Sequence, residues 1–217
     1  PNMGDGGLAV GCAILSHNKH KKFFPRKTEN MYLGPKFSNS FVLNQIKKYK
    51  LKYIKVSSPQ KFIAKKLHEG FVVALFQGRM EFGPRSLGNR SIFVSACDKS
   101  VNDWLNKKLK RTEFMPFAPY VLSVDAESVF DVNKCNKNAL KFMTITTNVK
   151  NKWRKKIQAT VHVDNTARPQ IIKRSENKLY YDILKEFKKL SGIPCLVNTS
   201  FNAHEEPIIN SFQEALN

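Results

Sequence analysis

Short apolar runs of strand length alternate along this chain with amphipathic segments of helical period, and this alternation constrains the fold more than any other feature. The runs are rich in β-branched and aromatic residues, which predicts strands. They read YIKV, FVVALF, SIFVSA, PFAPYVLSV, LKFMTITTNV, IQATVHVD and IPCLVN. Capping residues and helical spacing predict helices at residues 39–48, 58–70, 98–110 and 178–192. Because strands and helices interleave without internal repeats, we expect an α/β or α+β sheet with helical cover.

The charge of the chain is strongly positive, with 37 Lys and Arg against 17 Asp and Glu and a formal net charge of +20. Such an excess attracts phosphate polyanions and raises the hypothesis of a nucleic-acid-binding module. Most lysines stand in runs such as KHKK and KEFKK, which are typical of solvated surface. No RRM or helix-turn-helix motif accompanies them. The composition therefore disfavours a nucleic-acid partner and keeps it as an alternative.

The apolar stretches and the cysteines bear on the compartment. No apolar stretch reaches the roughly 20 residues that a membrane span needs, so no membrane partner is predicted. Four widely spaced cysteines form no C-x-x-C pair, which predicts neither a zinc site nor a disulfide framework. The expected location is a reducing cytoplasm.

The two ends suggest a segment of a longer protein. The start, PNMGDGG, has neither an initiating methionine nor a signal-peptide pattern, and GDGGLAVGCAIL predicts a glycine-rich loop entering a tightly packed helix. Residues 16–37 are basic, polar and interrupted by two prolines, which predicts an interdomain connection. The last residues, SFQEALN, predict the beginning of another helix.

Three of only eight arginines fall within the stretch GRMEFGPRSLGNRS, between two predicted strands. These are Arg79, Arg85 and Arg90. A guanidinium group grips a phosphate with paired hydrogen bonds, and glycines permit close approach of the backbone. The stretch is therefore a candidate site for one anionic ligand. A basic surface loop, or internal salt bridges to Glu81 and Asp98, are alternatives that residue chemistry leaves open.

Two further polar clusters follow predicted strands, where ligands of α/β sheets tend to bind. HVDNTARPQ contributes His162, Asp164, Thr166, Arg168 and Gln170, and LVNTSFN contributes Asn198, Thr199, Ser200 and Asn202. Turn chemistry is the alternative for the second cluster, and a lone histidine is more often structural than catalytic. Lys110 and Arg111 end a predicted helix, where cations also complement the helix C-terminus.

The order of the motifs PNMGDGGLAVG, NMYLGP, GRMEFGPRSLGNRS, LNKKLK, PFAPYVL, HVDNTARPQ and IPCLVNTSFN resembles that of the O-carbamoyltransferases. This family includes nodulation proteins and enzymes that modify cephamycin or aminoglycoside antibiotics. The resemblance implies an actin-like ATPase domain, similar to threonylcarbamoyl transferases, followed by a YrdC-like domain with a twisted mixed sheet and helices. It assigns residues 1–30 to the end of the first domain and its linker, and residues 31–217 to the YrdC-like domain, truncated at its end.

The resemblance implies an ATP-dependent carbamoyltransferase. Carbamoyl phosphate and ATP would give carbamoyl adenylate, with release of pyrophosphate and phosphate, and the carbamoyl group would pass to a hydroxyl of a sugar-like or antibiotic-like acceptor. ATP would be a co-substrate with Mg²⁺, and Fe²⁺ or another divalent metal would sit in the first domain. The protein could form a homodimer, a question that the resemblance leaves open. The alternatives are an RNA-binding or tRNA-modification-related YrdC-like module and a carbamoyl transfer in hydrogenase maturation.

The resemblance implies most of the expected site residues, and Arg111 and His162 are added to them from the residue chemistry of their motifs. Lys110 and Arg168 would be catalytic, and Asp5 would be a metal ligand of the first domain. ATP and carbamoyl phosphate would be bound by Arg79, Arg85, Arg90, Arg111, His162, Ser200 and Asn202.

The chain departs from the family pattern K-x-R-E-x-x-R-P-F-A-P after Lys110, where it reads KRTEFMPFAP. Thr112 and Met115 occupy the arginine positions, and Arg111 is displaced by one. Either Arg111 substitutes from the shifted position or fewer charges hold the donor. The histidine-bearing metal motif of the first domain is absent, so this segment alone is not expected to complete the transfer.

Overall fold

A five-stranded mixed sheet forms the centre of the computed structural model, which describes residue 2 and residues 4–22, 29–109, 117–203 and 205–216. The strands are β1 (Val73–Phe76), β2 (Arg90–Ser95), β3 (Ala118–Leu122), β4 (Thr147–Asn148), β5 (Thr166–Ala167), β6 (Gln170–Ile172) and β7 (Cys195–Ser200). The helices are α1 (Asp5–His20), α2 (Asn39–Lys48), α3 (Pro59–His68), α4 (Ser100–Lys108), α5 (Ala126–Val129), α6 (Asn151–Arg154) and α7 (Lys178–Ser191). Two 3₁₀ segments span Ala139–Phe142 and Gln158–Thr160.

The sheet has the strand order β1-β2-β7-β3-β6, and β4 and β5 form a separate antiparallel pair. Within the sheet, β3 pairs in parallel with β6, whereas β1–β2, β2–β7 and β7–β3 are antiparallel. The last strand in sequence, β7, is therefore inserted between β2 and β3. This arrangement confirms the predicted mixed α/β class.

Each face of the sheet has its own hydrophobic core, because successive side chains of a strand point to opposite faces. On β2, Ile92 belongs to the cluster that includes residues of α4 and α5, whereas Phe93 belongs to the cluster formed with α3 and α7. Phe93, Tyr120 and Tyr180 stack on one another in the second cluster, with ring centroids 4.0–5.5 Å apart. Burying such aromatic side chains contributes roughly 1.5–3 kcal/mol each.

Two predicted strands are wrong, and a third is right for only two residues. YIKV forms no strand, because its exposed residues have no partner strand with which to form a ladder. LKFMTITTNV forms the 3₁₀ segment Ala139–Phe142 and the two-residue strand β4, and IQATVHVD forms the second 3₁₀ segment and a turn. The run FVVALF does form β1, but as an edge strand in which only Leu75 is buried.

The four predicted helices are all present, although the caps differ from those expected: Ser38 and not Asn39 or Ser40 caps α2, Ser58 makes no side-chain cap hydrogen bond, and Lys99 and not Asp98 is the N-cap of α4. The helix α2 begins at Asn39, with Ser38 accepting a hydrogen bond from the Phe41 N–H. The helix α7 ends at Gly192, which has the left-handed φ of 72° typical of a helix C-cap. The helix predicted for SFQEALN is wrong: residues 212–216 form turns, in which the Glu214 carboxylate accepts the N–H groups of Asn210 and Ser211.

The N-terminal segment forms the helix α1, as predicted, but no residue of α1 is buried. The tight packing expected for it is therefore absent among the described residues. Part of the predicted connection, residues 31–36, instead packs against the sheet domain, with Met31 buried. No helix in the described ranges is both long and apolar enough to cross a membrane.

Candidate active site

The arginine-rich stretch forms a loop, residues 77–89, between the edge strand β1 and β2. A buried carboxylate closes this loop: Oε1 of Glu81 accepts the N–H groups of Leu87 at 2.6 Å and Asn89 at 2.7 Å. Gly88 lies against Tyr180, with a φ of +113° that favours glycine. A Cβ on Gly88 would lie 2.5 Å from the Tyr180 ring. The loop is thus held in one conformation by its own sequence and by α7.

The three arginines of the arginine-rich stretch, two in the loop and one at the beginning of β2, have different surroundings. Arg79 donates from Nε to the Gly34 carbonyl at 3.0 Å and from Nη2 to the Leu33 carbonyl at 2.6 Å, which ties the preceding segment to the loop. Arg85 is exposed, and among the described residues it makes no ion pair or hydrogen bond. Arg79 and Arg85 therefore do not converge on one point. That all three arginines contact one ligand stays a prediction.

Arg90 is fully buried at the beginning of β2. Its Nη1 donates to the carbonyls of Gln77 at 2.5 Å and Asn89 at 3.0 Å, and its guanidinium group lies 3.8 Å from the centroid of the Phe76 ring. Burial lowers the pKa of Arg90, and the charge of Glu81 opposes this shift. The alternative of salt bridges to Glu81 or Asp98 is not realised within the described residues, since Glu81 accepts backbone N–H groups and Asp98 accepts the N–H of Ser100.

A buried clasp of side chains joins the loop to two strands, and we call Ser86, Gln170 and Asn198 the clasp residues. Asn198 on β7 donates from Nδ2 to the Ser86 carbonyl and to Oε1 of Gln170, both at 3.1 Å. Gln170 on β6 donates from Nε2 to the Leu87 carbonyl at 3.0 Å and accepts the Tyr180 hydroxyl at 2.8 Å. The clasp thus fixes the loop immediately after Arg85.

Each clasp residue has a predicted site residue within two positions of it in the sequence. Because the clasp residues contact one another, the clasp brings these three site residues toward one region. Arg85 precedes Ser86, Arg168 lies two residues before Gln170, and Ser200 lies two residues after Asn198. Ser200 and Asn198 lie on the same face of β7, since side chains alternate along a strand.

Arg85 and Arg168 are close enough for their charges to interact. The pKa of Arg168 is lowered to about 10, mainly by burial and in addition by the positive charge of Arg85. Arg168 is half-buried, and neither guanidinium forms an ion pair or hydrogen bond within the part of the chain that the structure describes. Two neighbouring cations without an acidic partner form a site that an anion would stabilise.

The hydroxyl and amide at the end of β7 contact each other. Ser200 donates from Oγ to Oδ1 of Asn202 at 2.5 Å, and Asn202 donates from Nδ2 to the Glu206 carbonyl at 2.6 Å. Ser200 pairs with Ser91 of β2 in the sheet. The cluster predicted to follow a strand therefore begins inside one: residues 198–200 belong to β7, and only Asn202 lies beyond its end.

His162 lies in the turn that leads to β5. The Thr166 hydroxyl donates to Oδ1 of Asp164 at 2.7 Å, so it accepts a hydrogen bond from Nδ1 of His162, 3.0 Å away. The lone pair of the neutral ring then resides on Nε2. Burial lowers the pKa of His162, the charge of Asp164 raises it, and the charge of Arg168 lowers it further.

The remaining predicted residues lie elsewhere. Lys110 and Arg111, with the departures Thr112 and Met115, fall outside the described residues. Asp5 is exposed in the first turn of α1, and no group of three or more His, Cys, Asp or Glu side chains that could hold a metal ion occurs within the described ranges. Asp5 alone does not form a metal site within these ranges.

Three residues that position the loop, two of them buried, have roles that the sequence does not predict. The sequence suggests Glu81 only as a salt-bridge partner and gives no role to Asn89 or Asn177, yet Glu81 closes the loop and Asn177 donates to Oδ1 of Asn89 at 2.8 Å. A single acidic residue within an arginine-rich stretch was the available signal for Glu81. Gln170 and Asn198 were noted only as members of polar clusters.

Comparisons with known proteins agree on one family. The family model described as "Carbamoyltransferase C-terminus" matches residues 64–217. The chain is 36% identical over 225 residues to uncharacterized protein MJ1058 of Methanocaldococcus jannaschii, covering 100% of this chain and 36% of that protein. It is 34% identical over 222 residues to nodulation protein NolO of Bradyrhizobium diazoefficiens, covering 100% of this chain and 40% of that protein. The chain thus spans about two fifths or less of these relatives.

Among solved structures, the chain is similar to full-length HypF in its phosphate- and nucleotide-bound form. The TM-score is 0.54 at 22% sequence identity, covering 76% of this chain and 20% of that one. At this level of identity the likeness concerns the fold, and it agrees with the predicted fold class.

Proposed function

The chain belongs to the O-carbamoyltransferase family, through its carbamoyltransferase C-terminal domain, and from this membership we propose that it forms carbamoyl adenylate from carbamoyl phosphate and ATP. The carbamoyl group would then pass to a hydroxyl of a sugar-like or antibiotic-like acceptor. The domain division proposed with it places residues 31–217 in a YrdC-like unit and residues 1–30 at the end of a preceding domain. The complete lack of buried residues in α1 supports that division.

The observation that carries the proposal is the pair Arg85 and Arg168. Arg168, whose pKa is lowered by burial and by the charge of Arg85, lies beside that second guanidinium with no acidic partner among the described residues, so the pair lacks a counter-charge. Carbamoyl phosphate and the phosphates of ATP are anions of the required chemistry, and guanidinium groups bind phosphate oxygens through paired hydrogen bonds. Binding the ligand would remove the repulsion that the empty pair carries.

The proposed reaction mostly requires that phosphate groups be clamped and that two reactants be aligned. Carbamoyl phosphate, taking up water, loses phosphate and gives carbamate, whose oxygen displaces pyrophosphate from the α-phosphorus of ATP. Arg168 and Arg85 would hold the phosphate oxygens on which charge develops. Ser200 and Asn202 would orient the adenylate by hydrogen bonds, and neutral His162 would offer Nε2 as an acceptor.

The other predicted residues take supporting parts in the proposal. Arg79 and Arg90 would position the loop through their backbone contacts rather than by touching the ligand. Lys110 and Arg111 would complete the clamp from the segment between α4 and β3. Mg²⁺ would accompany ATP, and Asp5 is kept as a predicted metal ligand of the preceding domain.

The test follows pyrophosphate release by the purified full-length enzyme supplied with carbamoyl phosphate and ATP. We expect Arg168→Ala and Arg85→Ala each to lower the rate about 30-fold to 1000-fold, which corresponds to about 2–4 kcal/mol of transition-state stabilisation. Arg174→Ala is the matched control, because Arg174 pairs with Asp182 on the exposed side of α7. Unchanged release in both site variants would make the site assignment wrong.

A further inference from the structure

A second basic surface lies beside His162. It is an open groove of about 770 Å³ whose walls are the segment from α6 to the second 3₁₀ segment, the turn before β5, and the residue that precedes α4. The groove is lined by Lys99, Asn151, Lys152, Arg154, Lys155, Lys156, Gln158, Val161, His162, Val163 and Asn165. We call it the basic groove.

Among the described residues, five cationic side chains line the basic groove and no acidic side chain does. These cations are Lys99, Lys152, Arg154, Lys155 and Lys156. None forms an ion pair within the described residues, whereas lysines elsewhere do: Lys66 pairs with Glu69, and Lys188 with Asp125. The groove therefore differs from an ordinary lysine-rich surface, where acidic neighbours offset the charge.

The backbone under these cations is fixed. Arg154 donates from Nε to the Val149 carbonyl at 2.9 Å, and Trp153 donates from Nε1 to the Ser128 carbonyl at 3.0 Å. Ala159 is buried and its carbonyl accepts Nδ2 of Asn102 from α4 at 3.0 Å. The lysine side chains thus extend from a segment that is anchored on both sides, so the charges stay together without a ligand.

The lining of the basic groove selects among anions. Of the described residues that line it, His162 alone carries an aromatic ring, so these residues offer no row of flat platforms on which the bases of single-stranded nucleic acid could stack. Its volume lies in the range of small-molecule sites. Five unpaired cations in that volume match a compact ligand with several negative charges. A chain of two or more phosphate groups has this chemistry.

We propose that the basic groove binds a chain of two or more phosphates, either free pyrophosphate or the terminal phosphates of a nucleoside triphosphate. The groove shares His162 with the candidate active site, and the pKa of His162 responds to the charge of Arg168. A link between the groove and the pyrophosphate released in the reaction rests on the proposed function. Binding itself does not, and it can be measured without carbamoyl phosphate.

The experiment is titration calorimetry of the purified protein with sodium pyrophosphate, tripolyphosphate, AMP and ATP at physiological ionic strength. The test variant is the double substitution Lys155→Gln and Lys156→Gln. Its matched control is Lys47→Gln and Lys48→Gln, also two adjacent exposed lysines at a helix end, one of which likewise lies over an aromatic ring. We expect pyrophosphate and tripolyphosphate to bind about 10-fold more weakly to the test variant and equally well to the control.

The arms with nucleotides separate the two sources of the phosphate chain. If the test variant binds ATP more weakly and AMP equally well, the groove binds the terminal phosphates of the nucleotide. If the test variant binds pyrophosphate more weakly and ATP equally well, the groove binds free pyrophosphate. Equal pyrophosphate binding by parent and test variant, or equal weakening in the control, would overturn the proposal. Displacement of bound pyrophosphate by a thymidine oligonucleotide at the same ionic strength would also overturn it, in favour of a nucleic-acid surface.

The proposal and the proposed function fail in distinguishable ways. Loss of pyrophosphate binding in the test variant, together with unchanged pyrophosphate release in Arg85→Ala and Arg168→Ala, would support the groove and contradict the assigned reaction. Loss of catalysis in those arginine variants, with pyrophosphate bound equally by parent and test variant, would contradict the groove alone.

Discussion

Asn198 and Gln170 are joined by a hydrogen bond of 3.1 Å, from Nδ2 to Oε1, although their strands are not adjacent in the sheet. The bond passes over β3, whose Ala118 is opposite Asn198 in the register. Through it, the strand carrying Ser200 and the strand that follows Arg168 are held at a fixed distance. A polar group buried in this way is stabilising only while every partner is satisfied.

We therefore expect Asn198→Asp to destabilise the protein by about 2–4 kcal/mol. The substitution removes the donor and places a carboxylate against two acceptors, the Ser86 carbonyl and Oε1 of Gln170. Gln170 cannot turn its amide without losing the Tyr180 hydroxyl and the Leu87 carbonyl. Chemical denaturation monitored by circular dichroism measures the change. Asn148→Asp on the exposed side of β4 is the control, and an equal loss there would contradict the clasp.

Gly88 tests whether the arginine loop depends on its contact with α7. Gly88→Ala would place a Cβ 2.5 Å from the Tyr180 ring at a φ of +113°, so we expect a loss of more than about 2 kcal/mol in unfolding free energy. Gly192→Ala has a left-handed φ of 72° but nothing within 4 Å of the new Cβ, and should cost only about 1 kcal/mol. Urea titration of both variants compares them. Equal costs would mean that backbone strain, not the ring contact, requires the glycine.

The sequence predicts the buried elements of this fold because their signals are local. IPCLVN and SIFVSA are continuous apolar runs of strand length, and the central positions of β7 and β2 follow from them. IQATVHVD is also rich in β-branched residues, yet it forms a 3₁₀ segment in which Ile157 and Ala159 are buried without a strand to pair with. β-propensity describes the fit of side chains to a sheet, and it does not show whether a sheet position exists.

The candidate site was predictable as a set of motifs and not as a geometry. The arginines of GRMEFGPRSLGNRS have the same charge in sequence, but the register of β1 with β2 places Arg90 opposite Phe76 and buries it. That pairing depends on the loop that Glu81 closes, which no spacing rule reveals. Arg85 and Arg168 become neighbours only through the clasp, over a sequence separation that periodicity cannot span.

The empty pair Arg85 and Arg168 should cost stability, because burial and repulsion lower the pKa of Arg168 to about 10. A base whose folded pKa lies below its unfolded value destabilises the fold while it is protonated, as it is at pH 7.5. We expect Arg168→Gln to raise the melting temperature by a few degrees, on the order of 1 kcal/mol after solvent screening. Differential scanning fluorimetry with and without carbamoyl phosphate measures this.

The measurement with carbamoyl phosphate distinguishes an anion-binding site from an effect of Arg168 on packing alone. Carbamoyl phosphate should raise the melting temperature of the parent protein and leave Arg168→Gln unchanged, since the anion restores the missing counter-charge only where the arginine is present. Arg174→Gln removes the ion pair with Asp182, so this variant should be slightly less stable than the parent. It should keep the response to the ligand. A variant at Arg168 that is less stable without ligand and still responds to it would contradict the proposed anion site.

His162 should make stability fall as the pH is lowered. Its folded pKa is depressed, chiefly by burial and further by Arg168, so the unfolded chain takes up a proton first as the pH falls below about 6.5. The difference in unfolding free energy between the parent and His162→Gln should therefore be constant above that pH. The parent should lose stability relative to the variant as the pH falls from there through the folded pKa of His162. Urea denaturation of both proteins between pH 7.5 and pH 5 measures the difference. His68→Gln, on the exposed surface of α3, is the control, and a pH dependence that persists in His162→Gln and disappears in His68→Gln would show that His162 is not the group responsible.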